Sequence, residues 1–279
     1  MQAPGSLSNE IVIAPPRKWG PPRLGELWQA RELLYFITKR ELQIRYKQSF
    51  LGVLWVVLQP LVLASVFALF LGQLARVPSD GTPYPLFALT GLATWLFASQ
   101  AVAQGANSLV GDANLVSKVY FPRLVIPIGR ELALLVDVAI ALLIVLVATL
   151  LYGLGLRVEM LLTPLFVLLA FATALGAGTL LAALNVRYRD VGVAIPLMVQ
   201  LWLFMTPVLY PGSLITGGWQ YVYALNPMVS AVQGLRWAVI GTSPPSVGAI
   251  AISVGSALTL VLVALLYFRR TEHTFADII

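Results

Sequence analysis

Few side chains in this sequence could carry out covalent chemistry. His273 is the only histidine and there is no cysteine, so neither a two-histidine nor a thiolate metal site can form. The run from His273 to Asp277 has one residue too few between its ends for an acyltransferase-type His-Asp pair, and a solvated tail is the simpler reading. Gly105 and Gly111 are separated by five residues and followed by Asp112, whereas a phosphate-cradling loop needs G-x-x-x-x-G-K-[ST]. The chain therefore has no P-loop of its own. What remains is ionisable groups in apolar surroundings, which are functional candidates by default: Asp137 inside a long apolar run, and Glu131 ahead of it. A proton relay needs a chain of such groups. A single carboxyl can equally face a bundle interior and accept hydrogen bonds there.

The elements that position these residues follow from composition. The 279 residues are 59% hydrophobic and 11% charged, with mean hydropathy +0.85, against roughly 25% charge in soluble domains. That excludes a soluble enzyme, a disordered chain and, without cysteine, a disulfide-stapled module. An all-α polytopic membrane protein is expected, with spans at about 51–75, 84–106, 127–152, 161–184, 191–210 and 247–268, at about 20 residues per span. The net charge of +6 matters less than its placement. Eight basic residues (Arg17, Lys18, Arg23, Arg31, Lys39, Arg40, Arg45 and Lys47) precede the first span, and Lys118, Arg123, Arg130, Arg187, Arg189, Arg269 and Arg270 fall on the same side. Only Arg76, Arg157 and Arg236 fall opposite. The positive-inside rule then puts both termini in the cytoplasm of a multi-pass inner-membrane protein.

Outside the spans, residues 1–27 read as a flexible, Pro-rich lead-in, with no short apolar core and cleavage site of a removable signal. Residues 28–50 read as an amphipathic helix lying along the inner interface; a basic anchor to anionic lipid is the plainer alternative. Residues 51–270 hold the six spans, and 271–279 form a cytoplasmic tail. The stretch 211–246 is too long for a turn and too apolar for a solvated loop, so an outer re-entrant hairpin is expected there. No internal repeat of the secondary-transporter kind is present.

The inner loops carry most of the information. Between spans two and three, Asp112, Asn114, Leu115, Val116, Lys118, Val119, Tyr120, Phe121, Pro122 and Arg123 put apolar and basic residues where a mere connection needs neither. Asp112 or Asn114 is expected to cap a short helix that Pro122 stops, presenting those apolar side chains to a docking partner. The next inner loop, Arg187, Tyr188, Arg189 and Asp190, would orient spans four and five against the same partner, or simply obey the positive-inside rule.

These residues resemble a known family. The run Arg40-Glu41-Leu42 to Arg45-Tyr46-Lys47, continuing through Leu51-Gly52-Val53-Leu54-Trp55 to Gln59-Pro60-Leu61, is similar to the N-terminal signature of permease subunits in ATP-binding-cassette exporters of polysaccharides and polyol phosphates. Asn114-Leu115-Val116 with Lys118 and Phe121-Pro122-Arg123 resembles the coupling segment of that family. Tyr188-Arg189-Asp190, Pro207-Val208-Leu209-Tyr210-Pro211 and Leu225-Asn226-Pro227 resemble three further motifs in the same order. The resemblance implies a homodimer that binds two copies of a separate nucleotide-binding ATPase, which would hold ATP and Mg, with no cofactor in this chain. It also implies a lipid-linked glycan as cargo, such as O-antigen, another cell-wall polysaccharide or teichoic acid. An ATP-independent channel or secondary transporter, or an exporter of a non-glycan substrate, is the other reading. For the path, span five carries Trp202, Phe204 and Tyr210 around Pro196 and Pro207. Their aromatic faces could slide a sugar chain or simply pack the helix, and Asp137 is a fourth candidate.

Overall fold

Long apolar runs in lipid must satisfy their own backbone N–H and C=O groups, and helices do so within the segment. The computed structural model describes residues 24–47, 54–119 and 121–278, and among these there is no strand. The expected lead-in through residue 23, the motif residues Leu51, Gly52 and Val53, and Tyr120 lie outside the described residues.

The helices are α1 (Leu24–Gln29), α2 (Arg31–Lys47), α3 (Leu54–Phe67, running on as a π-helical turn over Ala68–Leu74), α4 (Tyr84–Ala106), α5 (Ser108–Gly111) and α6 (Ala113–Lys118). They continue with α7 (Val125–Leu151), α8 (Thr163–Arg187), α9 (Asp190–Phe204), α10 (Trp219–Tyr223), α11 (Pro227–Ile240), α12 (Val247–Thr271) and α13 (Phe275–Ile278). Five of them, α3 with its extension, α4, α7, α8 and α12, are long and apolar enough to cross a membrane.

The expected fifth span, 191–210, is helical only to Phe204, and α9 has 15 residues. Pro207 explains the stop. Its ring disfavours helical backbone at Thr206, and it offers no N–H. Residues 205–210 turn away instead.

α4 is the centre of the bundle. It packs against α3, α7, α8 and α11, and 78% of its apolar window is buried, against 11% for α3. Small residues on α8, among them Ala174, Gly176, Gly178 and Ala182, are all buried and let neighbouring backbones approach. α11, the expected hairpin, is inserted among α4, α8 and α12, with only Gln233 and Trp237 not fully buried.

A second apolar cluster closes the basic end of the bundle. Ile37 of α2, Leu109 of α5, Val116 of α6, Val125 and Ile126 of α7, Val186 of α8 and Phe268 and Phe275 near the chain's end pack together. The described beginning and end of the chain thus lie at one end, with both expected inner loops. Val116 was expected to face a partner but is 1% exposed, because it is used inside this cluster.

Candidate functional site

The amphipathic segment forms two helices, α1 and α2, meeting at Ala30, and α2 lies along the start of α7. Contact is close at Gly129, where a Cβ would sit 2.7 Å from Cγ2 of Ile37. Only a residue without a side chain lets Ile37 bury there.

Two carboxylates hold α2 in place. Asp112 accepts from Arg40 Nη2 and from Arg130 Nη2, each at 2.7 Å. Glu41 completes a four-charge cluster, 3.5 Å from Arg40 and 3.4 Å from Arg130 Nε. Asp112 stands at the N-cap position of α6, but its side chain makes no capping bond, so the expected cap is replaced by these ion pairs. The hydrogen bond from Arg40 to Asp112 raises the guanidinium's pKa further, against the opposing effect of burial.

Farther along α2, Arg45 and Tyr46 both donate to Asp137, one to each carboxylate oxygen. Burial first, then this hydrogen bond, raises the Tyr46 hydroxyl above its ordinary value, so it remains a donor. Lys47 is exposed at the end of the helix. Glu131 sits elsewhere, fully buried between Gly105 and Gly178, and neither of its oxygens has a hydrogen-bond partner among the described residues.

The docking segment divides into buried and free parts. Leu115 and Phe121 pack partly against the basic-end cluster, and Pro122 beside Phe121 is half-buried. Arg123 donates through its guanidinium to the backbone oxygen of Glu272, and its amide is 3.4 Å from Glu272 Oε1. Asn114, Ser117, Lys118 and Val119 are exposed. α6 ends at Lys118, with Val119 extended. This is earlier than Pro122 alone would impose, because proline restricts only the residue before it. Arg187, Tyr188, Arg189 and Asp190 are all exposed at the same end, with the Arg187 guanidinium 5.3 Å from the Tyr188 ring.

The path candidates fall into two places. Trp202, Phe204 and Tyr210 line one apolar groove of about 850 Å³ between α8, α9 and the hairpin, whereas Asp137 lines a separate polar cavity of about 340 Å³. Trp202 donates to Asn226 Oδ1 at 3.0 Å and packs edge-on to Trp95. The Tyr210 hydroxyl contacts Phe204 O at 2.8 Å and the Tyr223 hydroxyl. Phe204 is 64% exposed.

Two residues outside the candidate set hold the turn after α9 together. Asn226 donates to Met205 O and Thr206 Oγ1, each at 3.0 Å. Arg236, 2% exposed, donates to Pro207 O, Val208 O and Phe87 O and lies 3.6 Å over the Phe87 ring. Tyr84 takes Leu209 O at 2.7 Å. The carbonyls released where the helix breaks are thus answered one by one, as backbone inside a membrane requires. Gly91 makes room for this, since a Cβ there would lie 2.6 Å from Val208 O. Reading Arg236 as an ordinary outer-loop charge missed this role. The available signal was that it is the one charge in the apolar run 224–240.

The chain resembles characterised transport proteins over most of its length. An O-antigen export system permease protein RfbA from Myxococcus xanthus is 36% identical over 74% of this chain and 79% of that protein. Two proteins of the same name from Klebsiella pneumoniae are 26% and 27% identical, each over 89% of this chain and 95% of its own length. The profile of the ABC-2 type transporters matches residues 32–240, from the start of α2 to the end of α11. With its apolar spanning helices, its latched N-terminal helix and this match, the chain is a multi-pass membrane protein that belongs to the ABC-2 type transporter family.

Proposed function

We propose that this chain is the membrane-spanning subunit of an exporter that moves an O-antigen-type, lipid-linked polysaccharide across the inner membrane. It works as a homodimer with two copies of a separate ATPase subunit, which hold ATP and Mg. Both termini and the basic end of the bundle face the cytoplasm. The names of the relatives support the cargo, and the family supports an ATP-binding partner.

The observation that carries the mechanism is the double attachment of α2 to α7 and the 107–124 loop, through Asp112 and Asp137, beside an exposed polar and basic surface. A partner that closes on ATP and opens on hydrolysis needs different contacts in its two states. Asn114, Ser117, Lys118 and Val119, with Arg187, Tyr188, Arg189 and Asp190, supply a surface for those contacts. Pulling one carboxylate free of its cation inside the membrane leaves a costly unpaired charge. α2 and the first half of α7 therefore move as one piece, and a push at the surface reaches a spanning helix directly.

The experiment is complementation of a deletion strain, scored by surface polysaccharide. The wild-type gene restores it. Val119→Asp, at a half-exposed position outside the bundle core, leaves the protein in the membrane but removes co-purification of the ATPase and reduces surface polysaccharide at least tenfold, the scale expected for loss of a buried apolar anchor. Full export by that variant places the docking surface elsewhere. Unchanged surface polysaccharide in the deletion strain rejects the export reading itself.

A further inference from the structure

The polar cavity beside Asp137 is used by nothing described above. It lies between α3, α4 and α7, next to the last turn of α2, and holds about 340 Å³, the small end of the range for ligand pockets. Asp137 is seven residues beyond Arg130 on α7, about 10 Å deeper along the helix at 1.5 Å per residue. This places the cavity within the inner half of the bundle.

Its polar wall consists of Arg45, Asp137, Gln59, Gln100 and Gln104, and Trp55 forms one side. Gln100 and Gln104 are one helical turn apart and share a face of α4. No hydrogen bond joins any of the three amides to another described residue. Gln59 is exposed and Gln100 and Gln104 are half-buried, so all three amides are open to a polar molecule that enters the cavity, and within a membrane such groups favour a polar partner over lipid.

The wall also selects among polar ligands. Arg45 is already neutralised by Asp137, so the cavity carries no net charge with which to hold a phosphate. Three amides and a carboxylate present donors and acceptors side by side, the pattern that pairs with vicinal hydroxyl groups. Trp55 is 56% exposed and offers a flat apolar face, suited to the C–H face of a sugar ring.

We infer that this cavity is a subsite for one sugar residue of the exported glycan, entered from the inner half of the membrane. The inference rests on the export reading above and goes further in placing a recognition site apart from the aromatic groove. Gln59, Gln100 and Gln104 bind the hydroxyls, Asp137 accepts from them while still held by Arg45 and Tyr46, and Trp55 stacks.

The test uses the complete complex with its ATPase in nanodiscs of phosphatidylethanolamine and phosphatidylglycerol, which contain no sugar. The probe is lipid-linked glycan extracted from the organism's own membranes. With p-benzoylphenylalanine in place of Gln104, illumination is expected to give a carbohydrate-bearing adduct. The same residue in place of Leu143, on the exposed face of α7, is expected to give none. Gln59→Leu with Gln100→Leu should raise the glycan concentration for half-maximal ATPase stimulation about tenfold, as expected for losing two hydrogen bonds to the sugar. Adducts with phospholipid alone, or an unchanged half-saturation in a complex that still responds to glycan, overturn the subsite and leave the export reading standing. A wild-type complex indifferent to the glycan, in a strain whose surface polysaccharide survives deletion, overturns both.

Discussion

Arg236 sits inside a helix whose neighbours are apolar, and it is held there by backbone carbonyls instead of a carboxylate. Replacing it with leucine removes the guanidinium and orphans Pro207 O and Val208 O, each costing about 1–3 kcal/mol. Arg236→Leu is therefore expected to destabilise the protein by about 2–6 kcal/mol, read as a fall in melting temperature in detergent. Arg236→Lys, which lacks the forked geometry, should recover only part of the loss. A melting temperature unchanged in the leucine variant removes the residue from this role. The contrast with Asp137 shows what can be read at this scale. That carboxyl stands out because an ionisable group in an apolar run must have a partner, but its partners lie about 90 positions away on α2, a pairing no local pattern encodes. Asp112 has the reverse history: its position before a short helix suggested a cap, and two arginines outcompete that local bond with charge.

At the scale of elements, α2 matters through what it is fastened to. Asp137→Leu removes the acceptor for both Arg45 and Tyr46 while leaving Arg40, Glu41, Asp112 and Arg130 untouched. The second half of α2 should then open more readily, and its backbone amides should exchange with deuterium at least tenfold faster, since hydrogen bonds to charged groups are worth about 1.5–3 kcal/mol. The first half should keep its protection. Uniform protection along the helix in this variant removes Asp137 as an anchor. The long helices were legible in the sequence to within a few residues, because twenty apolar residues admit little else. α9 was not, because its apolar character runs past Phe204 while Pro207 ends the helix, and hydropathy does not record backbone hydrogen bonds. The hairpin was legible from the length and apolar character of 211–246; that its helix starts at Pro227, with Asn226 accepting from the Met228 amide, came only with the structure.

For the molecule as a whole, the placement of charge predicts a single orientation, and the native absence of cysteine makes it easy to check. Ser117→Cys, at the basic end, should resist a membrane-impermeant thiol reagent in intact cells and react after permeabilisation. Thr216→Cys, at the opposite end, should react in both. Reversed labelling inverts the proposed topology. One dimension of the bundle has a consequence for the bilayer itself. α9, with its exposed Val193, Leu197, Leu201 and Phe204, is 15 residues long, about 22 Å at 1.5 Å per residue, against a hydrocarbon core of about 30 Å. α7 and α12, with 27 and 25 residues, match the full thickness, so the mismatch falls on one flank. Lipid meeting a short apolar helix thins to fit it. The membrane is thus expected to thin along α9, with its narrowest point where that helix gives way to the turn over 205–210.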